Sequence, residues 1–295
     1  MKTSLRTRGE KIFGVANTFH MLFLALICLL PLLHILAVSF SDAAAASGNL
    51  VKFWPMGFNT AAYQMVFTNK TFVRAFGISV LRTTLGTAVN LIMVILSAYP
   101  LSKEEQQLKG RNVIIWFFTL PMLISGGLVP TYILIKNLHL INNFWVLILP
   151  GCVPTFYVIM MMNFFRGISS TITEAAIIDG ASESKILMQI MLPLSLPSIA
   201  TITLFSMVGH WNEWFGGMIY MNSTNNWPLQ TLLRQMLKTI DTSIFSSTEL
   251  LRMKQLSSRS FQSAQIIFAT VPILCVYPFL QRYFISGLTI GAVKE

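Results

Sequence analysis

Six stretches of the chain are apolar on all helical faces and long enough to cross a bilayer, at about residues 19–40, 76–100, 112–135, 144–165, 196–221 and 264–286. A hydrocarbon core about 30 Å thick needs about 20 such residues in a helix. The pattern therefore predicts an all-α integral membrane protein with six transmembrane helices and both ends of the chain on one side. The runs are nearly charge-free; the exceptions are Arg82, Glu213 and Arg282. Arg82 and Arg282 lie near run ends, where a long side chain can snorkel to the interface. Basic residues Lys2, Arg6, Arg8 and Lys11 precede the first run and the stretch SDAAAASG follows it, as in a secretory signal. The apolar core exceeds the usual length of about 7 to 15 residues for such a signal, which favours a retained first span.

The connecting segments differ in character. Residues 41–75, with FWPMGFNTAAYQMVF, and 222–263, with LQTLLRQMLKTI, alternate apolar anchors with turn or basic residues, which predicts partly helical caps near the membrane surface. Residues 171–193 instead carry Glu174, Asp179, Glu183 and Lys185. Burying such charges at a bilayer centre costs roughly 2.5 to 3.5 kcal/mol each, and a helix from Ser182 to Leu192 would be only about 16 Å long. The segment must lie outside the membrane, on the face shared by the two chain ends. Thr173 is placed to cap a first short helix, Gly180 to turn the backbone, Ser182 to cap a second helix and Pro193 to end its regular hydrogen bonding.

Composition agrees with this reading: 54% of the 295 residues are hydrophobic and 11% charged, against roughly a quarter charged in soluble domains. No composition shift or repeat divides residues 1–295, so the chain reads as a single transmembrane domain. The net charge of +10 is spread over loops and span ends without a basic patch, which points to membrane lipid as a neighbour and not to nucleic acid. Positive residues divide almost evenly between the two faces, and the N-terminal arm gives a slight bias toward cytoplasmic termini. Cys28, Cys152 and Cys275 each fall inside an apolar run, with neither disulfide nor metal spacing; they read as small buried apolar residues. The chain has no Gly-Lys dipeptide and hence no phosphate loop, no HExxH, and four scattered histidines. It offers no catalytic group, no metal site and no cofactor site of its own.

The charged segment runs Glu174-Ala175-Ala176, Asp179-Gly180, Ile190, Leu192-Pro193, and this spacing resembles the EAA motif of ABC importer permeases. FFRGISSTITEAAIIDGAS and the ending GLTIGAVKE are similar to the maltose-type, carbohydrate-uptake branch, and the plan and length to the Gram-positive group for complex oligosaccharide or polysaccharide uptake. The resemblance implies a type I ABC importer permease fold in the bacterial cell membrane, with cytoplasmic termini. It also implies partners: a second homologous permease subunit, two copies of a cytoplasmic ATPase that bind the ATP and Mg, an extracellular solute-binding lipoprotein, and an oligosaccharide substrate. The motif loop would be the coupling helix seated in a cleft of the ATPase, with Glu174 holding a basic group there and Ile190, Leu192 and Pro193 anchoring the loop to the bundle. Gly287–Glu295 would make a second contact with the ATPases.

In span five, HWNEWFGGMIY places His210, Trp211, Asn212, Glu213 and Trp214 in an apolar helix. His210 and Glu213, and likewise Trp211 and Trp214, are three apart and should share faces. An intramembrane carboxylate faces a bundle interior or a wet cavity, and aromatic faces with an amide suit sugar rings, so these five residues are candidates for a substrate pathway. They also fit packing or belt aromatics, with Glu213 paired to His210 or to a partner subunit. An ion-coupled secondary transporter or channel is the alternative; it predicts more ionisable groups within the spans, or broken helices in two related halves.

Overall fold

A computed structural model describes residues 7–124, 126–238 and 258–292, which form helices joined by turns and loops with no strand among them. The chain divides into two compact units, Met1–Lys70 with Ile240–Thr270 and Thr71–Thr239 with Val271–Glu295.

In the first unit, α1 (Arg8–Ser39) begins at a capping box, with the Thr7 hydroxyl accepting from the Glu10 amide and the Glu10 carboxylate accepting from the Thr7 amide at 2.8 Å. Most of its apolar side chains face outward, as in a helix surrounded by lipid. The small-residue stretch after it forms α2 (Ala43–Ser47), capped by Asp42, and packs Ala46 against Ala37 and Val38. Phe40 stacks on Phe58 and on Tyr63 of α3 (Ala61–Thr68). The expected cap at 41–75 is thus partly helical. The unit closes where Ser260 donates to the Ser41 carbonyl and Arg259 to the Asn49 side chain.

The second unit holds α4 (Lys70–Ser102), α5 (Arg111–Leu123), α6 (Leu128–Asn137), two tight turns (Phe144–Leu147 and Leu149–Gly151), α7 (Thr155–Arg166) and α8 (Ser170–Ile178). It continues with α9 (Glu183–Ile186), a π turn (Leu187–Met191), α10 (Leu192–Leu194), α11 (Leu196–Asn212), α12 (Phe215–Tyr220) and α13 (Leu229–Lys238). The final helix, α14 (Ser258–Ala292), is continuous. One core cluster packs Val94, Ala98, Tyr99 and Leu101 of α4 with Val158, Met161, Met162 and Phe165 of α7, and with Ile186, Leu187, Met191 and Ile202. A second gathers Ile135, Val146, Leu147, Tyr220 and Met221.

Among the described residues three helices are long and apolar enough to cross a membrane, and the number rises to six if each of three bent helix pairs counts as one span. The runs expected at 112–135, 144–165 and 196–221 are therefore broken. The turns at Phe144–Gly151 meet α7 at 48°, and the Glu183–Leu194 segment meets α11 at 79°. Pro150, Pro154, Pro193 and Pro197 flank these two bends, each lacking an amide donor, whereas the run at 196–221 breaks at Glu213, where α11 ends without a proline. Cys28 and Cys275 are exposed on apolar helices, not buried as expected, and Cys152 is half-buried; a thiol is apolar enough to face lipid. Of the expected cap at 222–263, α13 is described, and it buries Leu229, Leu232, Leu233 and Met236; residues 239–257 lie outside the described residues, as do Lys2, Arg6, the Arg282 side chain and Val293–Glu295.

Candidate functional site

Two places concentrate polar chemistry. The first is the charged loop. α8 starts after Ser169, not at Thr173, whose hydroxyl bonds back to the Ser170 carbonyl at 2.8 Å. Gly180 turns the chain at φ +76°, a left-handed conformation that a side chain disfavours. The Ser182 hydroxyl then accepts from the Lys185 amide at 3.4 Å and caps α9. Glu174, Ala175, Asp179 and Gly180 are all exposed, as is Ile178, while Ala176 and Ala181 pack against the core. The anchors are Ile186, Leu187 and Met191, all buried; Leu192 and Ile190 are half-buried and Pro193 is exposed. Leu192 packs against the same core as Ile186, Leu187 and Met191, and the π turn ahead of Pro193 sets which neighbouring side chains face inward with it.

At the base of the loop, the Glu183 carboxylate accepts from the Tyr99 hydroxyl and pairs with Lys103 at 2.9 Å. The Lys103 ammonium also lies 4.8 Å from the centre of the Tyr99 ring. Hydrogen bonds from Tyr99 and then Lys103 hold the Glu183 carboxyl below the usual carboxylate range.

The second place is a cavity of about 340 Å³ where the two broken segments face each other. Arg82 donates to the Leu147 carbonyl (3.2 Å), to the Glu213 carbonyl (2.9 Å) and to the Glu213 carboxylate. The other carboxylate oxygen accepts from the Gly216 amide at 2.6 Å. The Arg82 side chain is 4% exposed and that of Glu213 34%; both line the cavity, and the carboxylate is the more open of the two. Asn90 lies 3.0 Å from Ser206 Oγ and 3.3 Å from His210 Nε2. With its oxygen toward those two, its amide donates to the carbonyls of Gly86, Gly151 and Cys152. The His210 ring rests on Gly86, where a Cβ would lie 2.6 Å from it. Tyr157, Phe215 and Tyr220 complete the wall.

The family of binding-protein-dependent transport system inner membrane components matches residues 108–290, the region that holds the loop and most of the cavity. The chain belongs to this family. Protein LplC of Bacillus subtilis is 39% identical over 99% of this chain and 98% of its own. The polygalacturonan/rhamnogalacturonan transport system permease protein YtcP of the same organism is 37% identical over 97% and 99%. Among solved structures, a chain of a bacterial ABC transporter involved in the import of the acidic polysaccharide alginate superposes with a TM-score of 0.87 at 28% identity, covering 96% of this chain and all of that one. The protein is a membrane-embedded ABC importer permease subunit with the type I fold.

The permease does not bring its five span-five candidates together. His210 and Glu213 line the cavity, but α11 ends at Asn212 and Glu213 is extended, so they do so across a break. Glu213 pairs with Arg82, not with His210, and Arg82 is buried, not snorkelling. Trp211 is buried edge-on to Phe76, Trp214 stacks on the Arg234 guanidinium at 3.8 Å, and Asn212 is exposed. Sequence reasoning missed Asn90, Ser206 and Arg82 as parts of this site. The signal was present on α4, where Ser79, Arg82, Thr83, Gly86, Thr87 and Asn90 recur at helical spacing as a polar face.

Proposed function

We propose that this permease forms half of a transmembrane pathway for oligosaccharides or polysaccharide fragments, coupling ATPase motion to alternating access. The observation that carries the proposal is the loop's division of labour: Glu174, Ala175 and Asp179 stand exposed above anchors buried in the bundle core. An exposed knob on a buried base suits a docking partner, with Glu174 holding a basic group through a charge-assisted hydrogen bond. Two copies of a cytoplasmic ATPase bind the ATP and Mg and hydrolyse the nucleotide. A second, homologous permease completes the pathway, an extracellular binding lipoprotein delivers the sugar, and both termini lie in the cytoplasm.

The relatives named for galacturonan and alginate support a carbohydrate cargo. The cavity suits a sugar unit, since Tyr157 and Tyr220 offer aromatic surface and Glu213, His210 and Asn90 offer hydrogen-bonding groups.

The test is purification of the tagged permease followed by reconstitution with the proteins it retains. Co-purification of an ATPase and a different permease, with sugar uptake that requires ATP, is the expected result. Uptake that follows an ion gradient without ATP would overturn the reading.

A further inference from the structure

Two sets of contacts, made with different partners, lie on the same helix. Near the loop end of α4, Tyr99 and Lys103 grip the Glu183 carboxylate, and Ile186 and Leu187 sit buried among Val94, Ala98 and Leu101. The Leu101 carbonyl accepts from Arg111 at 2.9 Å and from Arg166 at 3.3 Å, so α5 and α7 hold this helix end as well. Seventeen residues earlier, about 26 Å along the axis at 1.5 Å per residue, Arg82 of α4 holds both the backbone and the side chain of Glu213 at the break beside the cavity.

The loop has another route to the cavity, through the chain itself into α11. That route contains the π turn Leu187–Met191 and the 79° bend before Leu196, and Pro193 and Pro197 remove donors along it. A π turn and a bend are places where a helix yields. From Arg82 to Tyr99 α4 is one continuous helix, and its one proline, Pro100, lies at the loop end next to Tyr99; no π turn or sharp bend separates the two sets of contacts.

We infer that α4 is the rod that carries displacement of the loop to the polar cavity, with Glu183, Tyr99 and Lys103 as positioning residues at its driven end and Arg82 at the other. The inference rests on the reading of the loop as the ATPase contact. The exposed Glu183–Lys103 pair alone would contribute little. The Tyr99 hydroxyl, on a ring only 8% exposed and edge-on to Phe165, gives the carboxylate a fixed partner and the contact a direction.

The experiment needs no knowledge of the sugar. The permease, assembled with its partner permease and ATPase in proteoliposomes, carries Phe215→Cys as a cavity reporter, with Cys28, Cys152 and Cys275 replaced by alanine. Its alkylation by N-ethylmaleimide is timed with and without ATP and vanadate. Nucleotide should change the rate about tenfold, the scale of one hydrogen bond to a charged group, and Tyr99→Phe or Glu183→Gln should remove most of that change while the ATPase still co-purifies. An undiminished nucleotide response in Tyr99→Phe and Glu183→Gln overturns the rod and leaves the importer reading standing. Loss of assembly in Tyr99→Phe, which removes one oxygen, marks the contact as structural and also overturns it. No nucleotide response in the unsubstituted assembly overturns the importer reading, and the rod with it.

Discussion

The charged loop and the polar cavity use the same residue types under opposite conditions. In the loop, Glu174 and Asp179 are exposed, so water solvates them and they are free to meet a partner. At the cavity, Arg82 is covered and its three bonds go to Glu213 and Leu147, because an unpaired charge within a membrane span is expensive. The breaks differ in the same way. The loop turns on a glycine whose φ of +76° needs no partner, whereas the break at Glu213 is stitched by Arg82 and by the Gly216 amide. Charge stays solvated and unpaired where water is present and acts as a staple where it is scarce.

The largest effect that would test this contrast is at the staple. Arg82→Met should destabilise the permease by roughly 3–5 kcal/mol, since it strands Glu213, whereas Arg82→Met with Glu213→Met should recover most of the loss. Thermal unfolding of the purified complex measures both; equal loss in the single and double variants would break the comparison. Next, Gly86→Val should cost about 1–3 kcal/mol by overpacking, as its Cβ would meet the His210 ring at 2.6 Å, with the same readout.

The loop should respond differently. Gly180→Leu strains one residue by about 1–2 kcal/mol, so unfolding of the spans should change little while ATPase retention on affinity purification falls. Glu174→Lys should reduce retention without any loss of stability. A large drop in unfolding temperature for either variant would show the loop to be part of the core.

The smallest effect is one of pH. The folded Glu183 carboxyl lies below its ordinary value, through Tyr99 and then Lys103, so its contribution is complete at neutral pH and is lost as pH falls through the folded pKa. The difference in unfolding temperature between the native chain and Glu183→Gln should therefore shrink below about pH 4. A difference that grows on acidification would contradict the contact.

The positions of the spans and the loop were legible because they depend on local composition: runs of about 20 apolar residues suffice for a helix in lipid, and four charges exclude the loop from it. The turn at Gly180 and the cap at Ser182 were legible for the same reason. Of the expected anchors Leu192 packs against the core, while the burial of Ile186, Leu187 and Met191 beside it was not legible, because the π turn ahead of Pro193 changes the helical phase that a regular 3.6-residue period assumes. The pairing of Arg82 with Glu213 spans 131 residues and that of Tyr99 with Glu183 spans 84, and nothing in either local pattern names the partner.

The sequence by itself determined which segments are apolar enough for a membrane and which are too charged for it. That division follows from transfer free energies that act within a few residues. Only the tertiary structure decided what each polar group does, because a guanidinium and a carboxylate become a staple, and a tyrosine and a glutamate a link between loop and span, once packing has brought distant helices within hydrogen-bond reach.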